Sequence, residues 1–226
     1  MPHPGRPTDV LLYTRTTGYR HDSIPAATAA LHELGQDHGF AVEATEDPAV
    51  FTDASLAGRG AVLFLSTSGE VLTPAGRAAL RRWTAAGGGF AGVHSAACTE
   101  YDWPHYGELL GARFAGHPEP QPGTVLVEDR DHPATAHLPQ RWAWHDEWYD
   151  FRHNPRPGVR VLATVDESGY RGGGMGADHP LVWCREPATG GRSFYTALGH
   201  AADAYADPAF RRHLLGGLRW AAGAAS

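Results

Sequence analysis

The sequence predicts an α/β protein built on a mostly parallel central sheet. Three observations predict it. Short, continuous apolar runs at Val10–Tyr13, Ala61–Leu65 and Phe90–Val93 have the look of strands buried on both faces. Between them lie segments with helical periodicity and clear start signals. Each run also ends in a polar turn, which gives the repeated strand–helix order of a right-handed parallel sheet.

The elements follow in order. Val10–Tyr13 suits a first, central strand, and Thr14 to Ser23 forms the loop above it. Asp22 or Ser23 is placed to cap a helix from about Pro25 to Gly39, with Ile24, Ala27, Leu31 and Leu34 on its inward face. Phe40 to Ala44 reads as a second strand, and Asp47 to Leu56 as a connection with room for a short helix. The Ala61–Leu65 strand runs into Ser66-Thr67-Ser68-Gly69-Glu70, which suits either a ligand or ordinary turn chemistry. Thr73-Pro74 starts a helix that ends near Ala86, and Gly87-Gly88-Gly89 releases the chain into Phe90–Val93. His94 is thrown up where that strand ends, and in open α/β sheets ligands bind at the carboxyl ends of strands.

Beyond Pro104 the regularity fades. Tyr106 to Ala112 reads as a short helix, and Gly116 to Pro122 as a loop. Thr124–Val127, Val159–Val165, Leu181–Cys184 and Ser193–Thr196 read as strands. The last leads into Ala197-Leu198-Gly199-His200. Gly172 to Gly176 is expected to be a mobile loop. The closing helix has Asp207 as cap, Pro208 at its first position, and Phe210, Leu214, Leu215 and Leu218 inward. Without repeats or a low-complexity linker, one domain is expected.

Composition removes several function classes. The formal charge is -6, all nineteen basic residues are arginines, and no basic stripe occurs, so nucleic acid is not an expected partner. Two cysteines, Cys98 and Cys184, provide no disulfide framework. No run approaches the roughly 20 apolar residues of a spanning helix. Met1 to Thr8 has no apolar leader core, so neither membrane nor export is expected and the cytoplasm is the default.

Chemistry concentrates at strand ends. His21, His94 and His200 each follow a predicted strand directly or by one loop, so parallel neighbours would bring the three imidazoles to one crevice. Asp146-Glu147 can add a carboxylate. Such a set suits a divalent metal such as zinc or manganese, or serves as general acids and bases. Trp144, Trp148, Tyr149 and Phe151 form either a sugar-stacking wall or core packing, and exposed members of this group would equally suit a homodimer interface. Cys98, four residues after His94, is either a thiol activated by a helix start or an inert small hydrophobe.

Four motifs in this order, Gly18-Tyr19-Arg20-His21-Asp22-Ser23-Ile24, Gly92-Val93-His94-Ser95-Ala96, Asp146-Glu147-Trp148-Tyr149 and Ala197-Leu198-Gly199-His200, resemble the trehalose-utilisation (ThuA-like) family. The resemblance spans about residues 9 to 222. It implies a class I glutamine-amidotransferase-like fold, a flavodoxin-like three-layer sandwich with helices on both faces of the sheet. In amidotransferases of that fold the strand-to-helix elbow presents a nucleophilic cysteine. Here His94 stands in its place, so glutamine hydrolysis is not expected.

The family's association with sugar catabolism implies a carbohydrate-processing enzyme acting on a keto-sugar or glycoside. His94, His200 and Glu147 are then the catalytic candidates, and Arg20, Ser95, Trp148 and Tyr149 the substrate contacts. His21, His94, His200 and Asp146 are the metal ligands expected. No nucleotide cofactor is expected, and the partner is a small carbohydrate. The alternatives are a sugar- or partner-binding module without turnover, and thiol chemistry at Cys98.

Overall fold

The computed structural model describes residues 9–224. Strands β1 (Val10–Tyr13), β2 (Val42–Thr45), β3 (Ala61–Leu65), β4 (Gly89–Val93) and β11 (Ser193–Thr196) form the parallel half of a nine-stranded sheet, in the order β2-β1-β3-β4-β11. Every residue of β1, β3, β4 and β11 is buried, as expected of parallel strands with helices on both faces, including the polar ends Ser193 and Thr196 of β11. The sheet continues through β10 (Pro180–Arg185), β9 (Arg160–Val165), β6 (Gln121–Val127) and β7 (Arg141–Asp146) by antiparallel pairing. Only β10 and β6 run against the common direction. A separate pair joins β5 (Phe114–Gly116) to β8 (Asp150–Phe151).

Helices α1 (Ile24–His38), α2 (Asp53–Leu56), α3 (Pro74–Ala85), α4 (Pro104–Leu110) and α5 (Pro208–Ala221) complete the frame. The expected caps of α3 and α5 form: Thr73 accepts from the Gly76 amide, and Asp207 from the Ala209 and Phe210 amides. At α1 the expectation fails. Ser23 occupies the cap position with helical backbone angles, and its side chain makes no capping hydrogen bond. Phe210, Leu214, Leu215 and Leu218 face inward from α5 as its period requires. Among the described residues no helix is long and apolar enough to cross a membrane.

Two departures from the sequence reading have local causes. Strand β6 begins at Gln121, three residues before the expected start, and so includes Pro122 and Gly123. Pro122 pairs only with His145 of β7, because β9 meets β6 from Val125 onward. One side of Pro122 therefore needs no amide donor. Gly123 is required, since a Cβ there would lie 2.6 Å from the Trp148 ring. The Gly172–Gly176 loop, expected to be mobile, is tied by side-chain acceptors: Gly174 donates to Asp150 (3.0 Å), and Met175 to Glu167 (2.7 Å).

Candidate functional site

The turn after β4 organises the site. His94 opens a short 3-10 segment, His94–Cys98, with φ at 53°, a left-handed conformation uncommon for a residue with a side chain. Backbone strain of this kind persists where the surroundings over-determine it. Here Gly92 supplies the space: a Cβ at that position would press to 2.8 Å from Leu110 and 3.2 Å from both Ala96 and Tyr195. The Tyr195 hydroxyl donates to the His94 carbonyl (2.9 Å), which fixes the elbow from β11.

His94 is wholly buried, and its Nδ1 lies 2.7 Å from the Ala197 carbonyl oxygen. A carbonyl can only accept, so Nδ1 carries a proton, and in the neutral ring the Nε2 lone pair faces inward. Around Nε2 stand His21 Nε2 at 3.1 Å, the Tyr149 hydroxyl at 2.9 Å and Glu147 Oε2 at 3.2 Å. His200 Nδ1 lies 3.2 Å from Glu147 Oε1. The loop after β1 brings His21 over the elbow, where the Ser95 hydroxyl stands 3.3 Å from its Nδ1. The turn after β11 brings His200, with Gly199 at φ 106°. One ligand atom from each of His21, His94, Glu147 and His200 lies within 4.8 Å of all the others.

Burial, and then the neighbouring His94, lower His21 to about 3, so it is neutral near pH 7. Burial by itself would raise Glu147, but contacts with His200 and His94 outweigh it and hold the carboxyl well below its ordinary range. The same carboxylate raises His200. Glu147 Oε2 and His200 Nδ1 are nonetheless buried without a properly directed hydrogen bond. Buried polar atoms in this state invite an additional partner. Three imidazoles and one carboxylate are a donor set that zinc or manganese accepts, so the residues fit a divalent ion.

Of the other residues singled out from sequence, Ser95 and Tyr149 join the cluster, Tyr149 with its ring 4.5 Å from that of His94. Arg20 does not. Its guanidinium pairs with Glu46 at 2.7 Å and is half-exposed. Trp148 is fully buried against Gly123 and Tyr170, so it presents no face to solvent. Asp146 stands behind the cluster rather than in it. Its oxygens accept from the Trp144 indole (2.9 Å) and from the backbone amides of Glu147 (2.9 Å), Gly199 (2.8 Å) and His200 (3.1 Å).

His117 was not anticipated. Its Nε2 lies 3.5 Å from Glu147 Oε1, and its ring stacks on Tyr149 at 5.6 Å. Nδ1 sits 2.8 Å from the Pro118 carbonyl oxygen, so in the neutral ring Nε2 carries the free lone pair. It lies in the loop between β5 and β6, where no period or strand end marked it.

Cys98 ends the 3-10 segment instead of opening a helix, and burial pushes its thiol up to about 12. Iodoacetamide at pH 7.5 is therefore expected to leave Cys98 unmodified in the folded protein and to label it after denaturation. Intact-mass spectrometry checks this, and rapid labelling of the native state would restore the thiol as a nucleophile.

The chain is an α/β protein with a class I glutamine-amidotransferase-like fold, with histidine at the elbow and an imidazole–carboxylate cluster above it. The chain belongs to the trehalose-utilisation family, ThuA, whose model matches residues 9–221. Among solved structures it is similar to a ThuA-like protein from Bacteroides uniformis, with 24% identity, a TM-score of 0.77, and coverage of 98% of this chain and 94% of that one. A ThuA-like protein from Parabacteroides merdae gives 22% identity and a TM-score of 0.77, covering 96% and 90% respectively. More distantly, PurLQS from Thermotoga maritima shares the fold at 11% identity and a TM-score of 0.56, with 94% of this chain and 98% of that one covered. No curated protein matches the chain in sequence.

Proposed function

We propose that this protein is a carbohydrate-processing enzyme that abstracts a proton beside the carbonyl of a keto-sugar, with a divalent metal held by His21, His94, His200 and Glu147. The observation that carries the reading is the convergence of these four donors within 4.8 Å, two of them lacking a hydrogen-bond partner. Membership of a trehalose-utilisation family supports a sugar as the substrate. A divalent ion in such a set polarises a carbonyl and stabilises negative charge on its oxygen.

The protein's own groups supply the rest. His117 is the proton carrier in this reading, because its Nε2 lone pair faces the cluster from outside the four-residue set. It takes the proton from the carbon next to the carbonyl, and the C–H electron pair forms the enolate. Collapse of the enolate breaks the glycosidic C–O bond at the next carbon, and the departing oxygen receives the proton from His117. Atoms and electrons balance without a co-reactant. Tyr149 stays protonated, because burial raises its hydroxyl well above the ordinary value, and its ring packs on that of His94 at 4.5 Å, which holds the imidazole in place.

The test is elemental analysis of protein purified without chelator or nickel affinity, paired with consumption of 3-ketotrehalose. Near-stoichiometric zinc or manganese, and turnover lost on chelation and regained on reloading, are expected. His117→Gln should keep the metal and lose about 100-fold or more in kcat, the range of a missing acid–base group. Protein that takes up neither metal, or turnover indifferent to chelation, would overturn the reading.

A further inference from the structure

Tyr19 is 69% exposed, the one large hydrophobic side chain so exposed among the described residues. A single exposed aromatic is ordinary on a protein surface, so its surroundings decide whether it matters. Its ring meets the His21 imidazole edge to face, with centroids 4.8 Å apart. His21 is in turn 3.1 Å from His94, so Tyr19 stands beside the cluster, against its His21 member.

The backbone under this ring is unusually well held for an exposed loop. Thr17 and Gly18 both donate their amides to the Ser68 carbonyl, at 2.8 and 3.3 Å. The Ser68 hydroxyl donates back to the Tyr19 carbonyl at 2.5 Å. Gly18 lies so close that a Cβ there would be 3.3 Å from the Ser68 hydroxyl. Ser68 is itself buried, so the loop is fastened to the turn after β3. The neighbouring side chain, Arg20, turns away to Glu46. The result is a fixed backbone presenting one aromatic face at the rim of a polar site, with little left to order on binding.

From this we infer that Tyr19 is the stacking platform for the substrate, taking the apolar C–H face of a pyranose ring while the reacting carbonyl is presented to the cluster. The inference rests on the proposed function and adds the residue that selects a ring-shaped carbohydrate. In the aromatic segment Trp148, Tyr149 and Phe151 are buried, and the part-buried Trp144 lies behind the cluster with its indole bonded to Asp146, so none of the four offers an aromatic face beside His21.

The test uses zinc-loaded protein, with trehalose and 3-ketotrehalose as probes. Tyr19→Ala is expected to weaken binding of both sugars, measured by calorimetry, about 10-fold, while Tyr19→Trp and Tyr19→Phe retain it. Zinc stoichiometry should be unchanged in all three variants, because Tyr19 contributes no ligand atom. Equal affinity of Tyr19→Ala and wild type would overturn the platform and leave the metal-dependent reading intact. Wild-type protein that binds zinc but neither sugar would overturn both.

Discussion

Substitution of His94 by alanine is expected to remove bound metal and turnover together while leaving a folded protein. His94 is the one member of the cluster that lies within about 3 Å of His21, Glu147 and Tyr149 at once, and it is wholly buried. Loss of groups that merely orient metal ligands costs about 10–100-fold in affinity or activity, so loss of a ligand should exceed 100-fold. The fold has its own price, set by the Ala197 carbonyl that loses its donor. One buried unsatisfied group costs about 1–3 kcal/mol. For a chain of this size that lowers Tm by roughly 2–12 °C. Elemental analysis, 3-ketotrehalose consumption and a circular-dichroism melt on the same preparation check all three. A folded variant that keeps near-stoichiometric metal would remove His94 from the ligand set, and one that also kept turnover would sink the assignment of the elbow.

The sequence made the parallel half of the sheet, and three of the four cluster residues, readable. His94 directly follows β4, and His21 and His200 follow β1 and β11 by one loop or turn. The runs of β1 and β4 are continuous and apolar and hard to misplace, and β11 is marked by the turn signals around it. The carboxylate was less readable. Asp146 ends β7 and Glu147 follows it, and neighbouring residues on an extended chain point to opposite sides. Either could have faced the imidazoles until the pairing of β7 with β6 fixed the register. The aromatics posed the same difficulty, since nothing local in Trp148 says that Gly123 will receive its ring. His117 was hidden for a different reason. It reaches Glu147 only because β5 pairs with β8 across a long separation, and composition carries no record of that. Tyr19 is adjacent in sequence to the functional loop residues, but nothing local marks it as exposed, and the Ser68 bond that holds its backbone comes from a residue 49 positions away.

Asp146 provides the sharpest separation between binding a metal and holding the residues that bind it. Its buried carboxylate receives four donors, three of them backbone amides at Glu147, Gly199 and His200. It therefore joins the end of β7 to the turn after β11 and sets the spacing between two of the four cluster residues. Asp146→Ala would leave those donors without their acceptor in the interior. Each buried donor left unsatisfied costs about 1–3 kcal/mol, so the loss is expected to be at least roughly 2–12 °C in Tm for a protein of this length. The decisive comparison is made on metal-free protein. A residue whose sole role is metal ligation costs little stability once the metal is removed, whereas a positioning residue costs the same with or without it. Asp146→Ala is thus expected to show its full loss of Tm in the presence of chelator, and Asp146→Asn, which keeps one acceptor oxygen, a smaller one. Zinc titration of Asp146→Asn should reach full occupancy at about 10–100-fold higher free zinc, the size of an orienting effect. A variant as stable as wild type in chelator, yet unable to fill with zinc at any concentration, would instead make Asp146 a direct ligand.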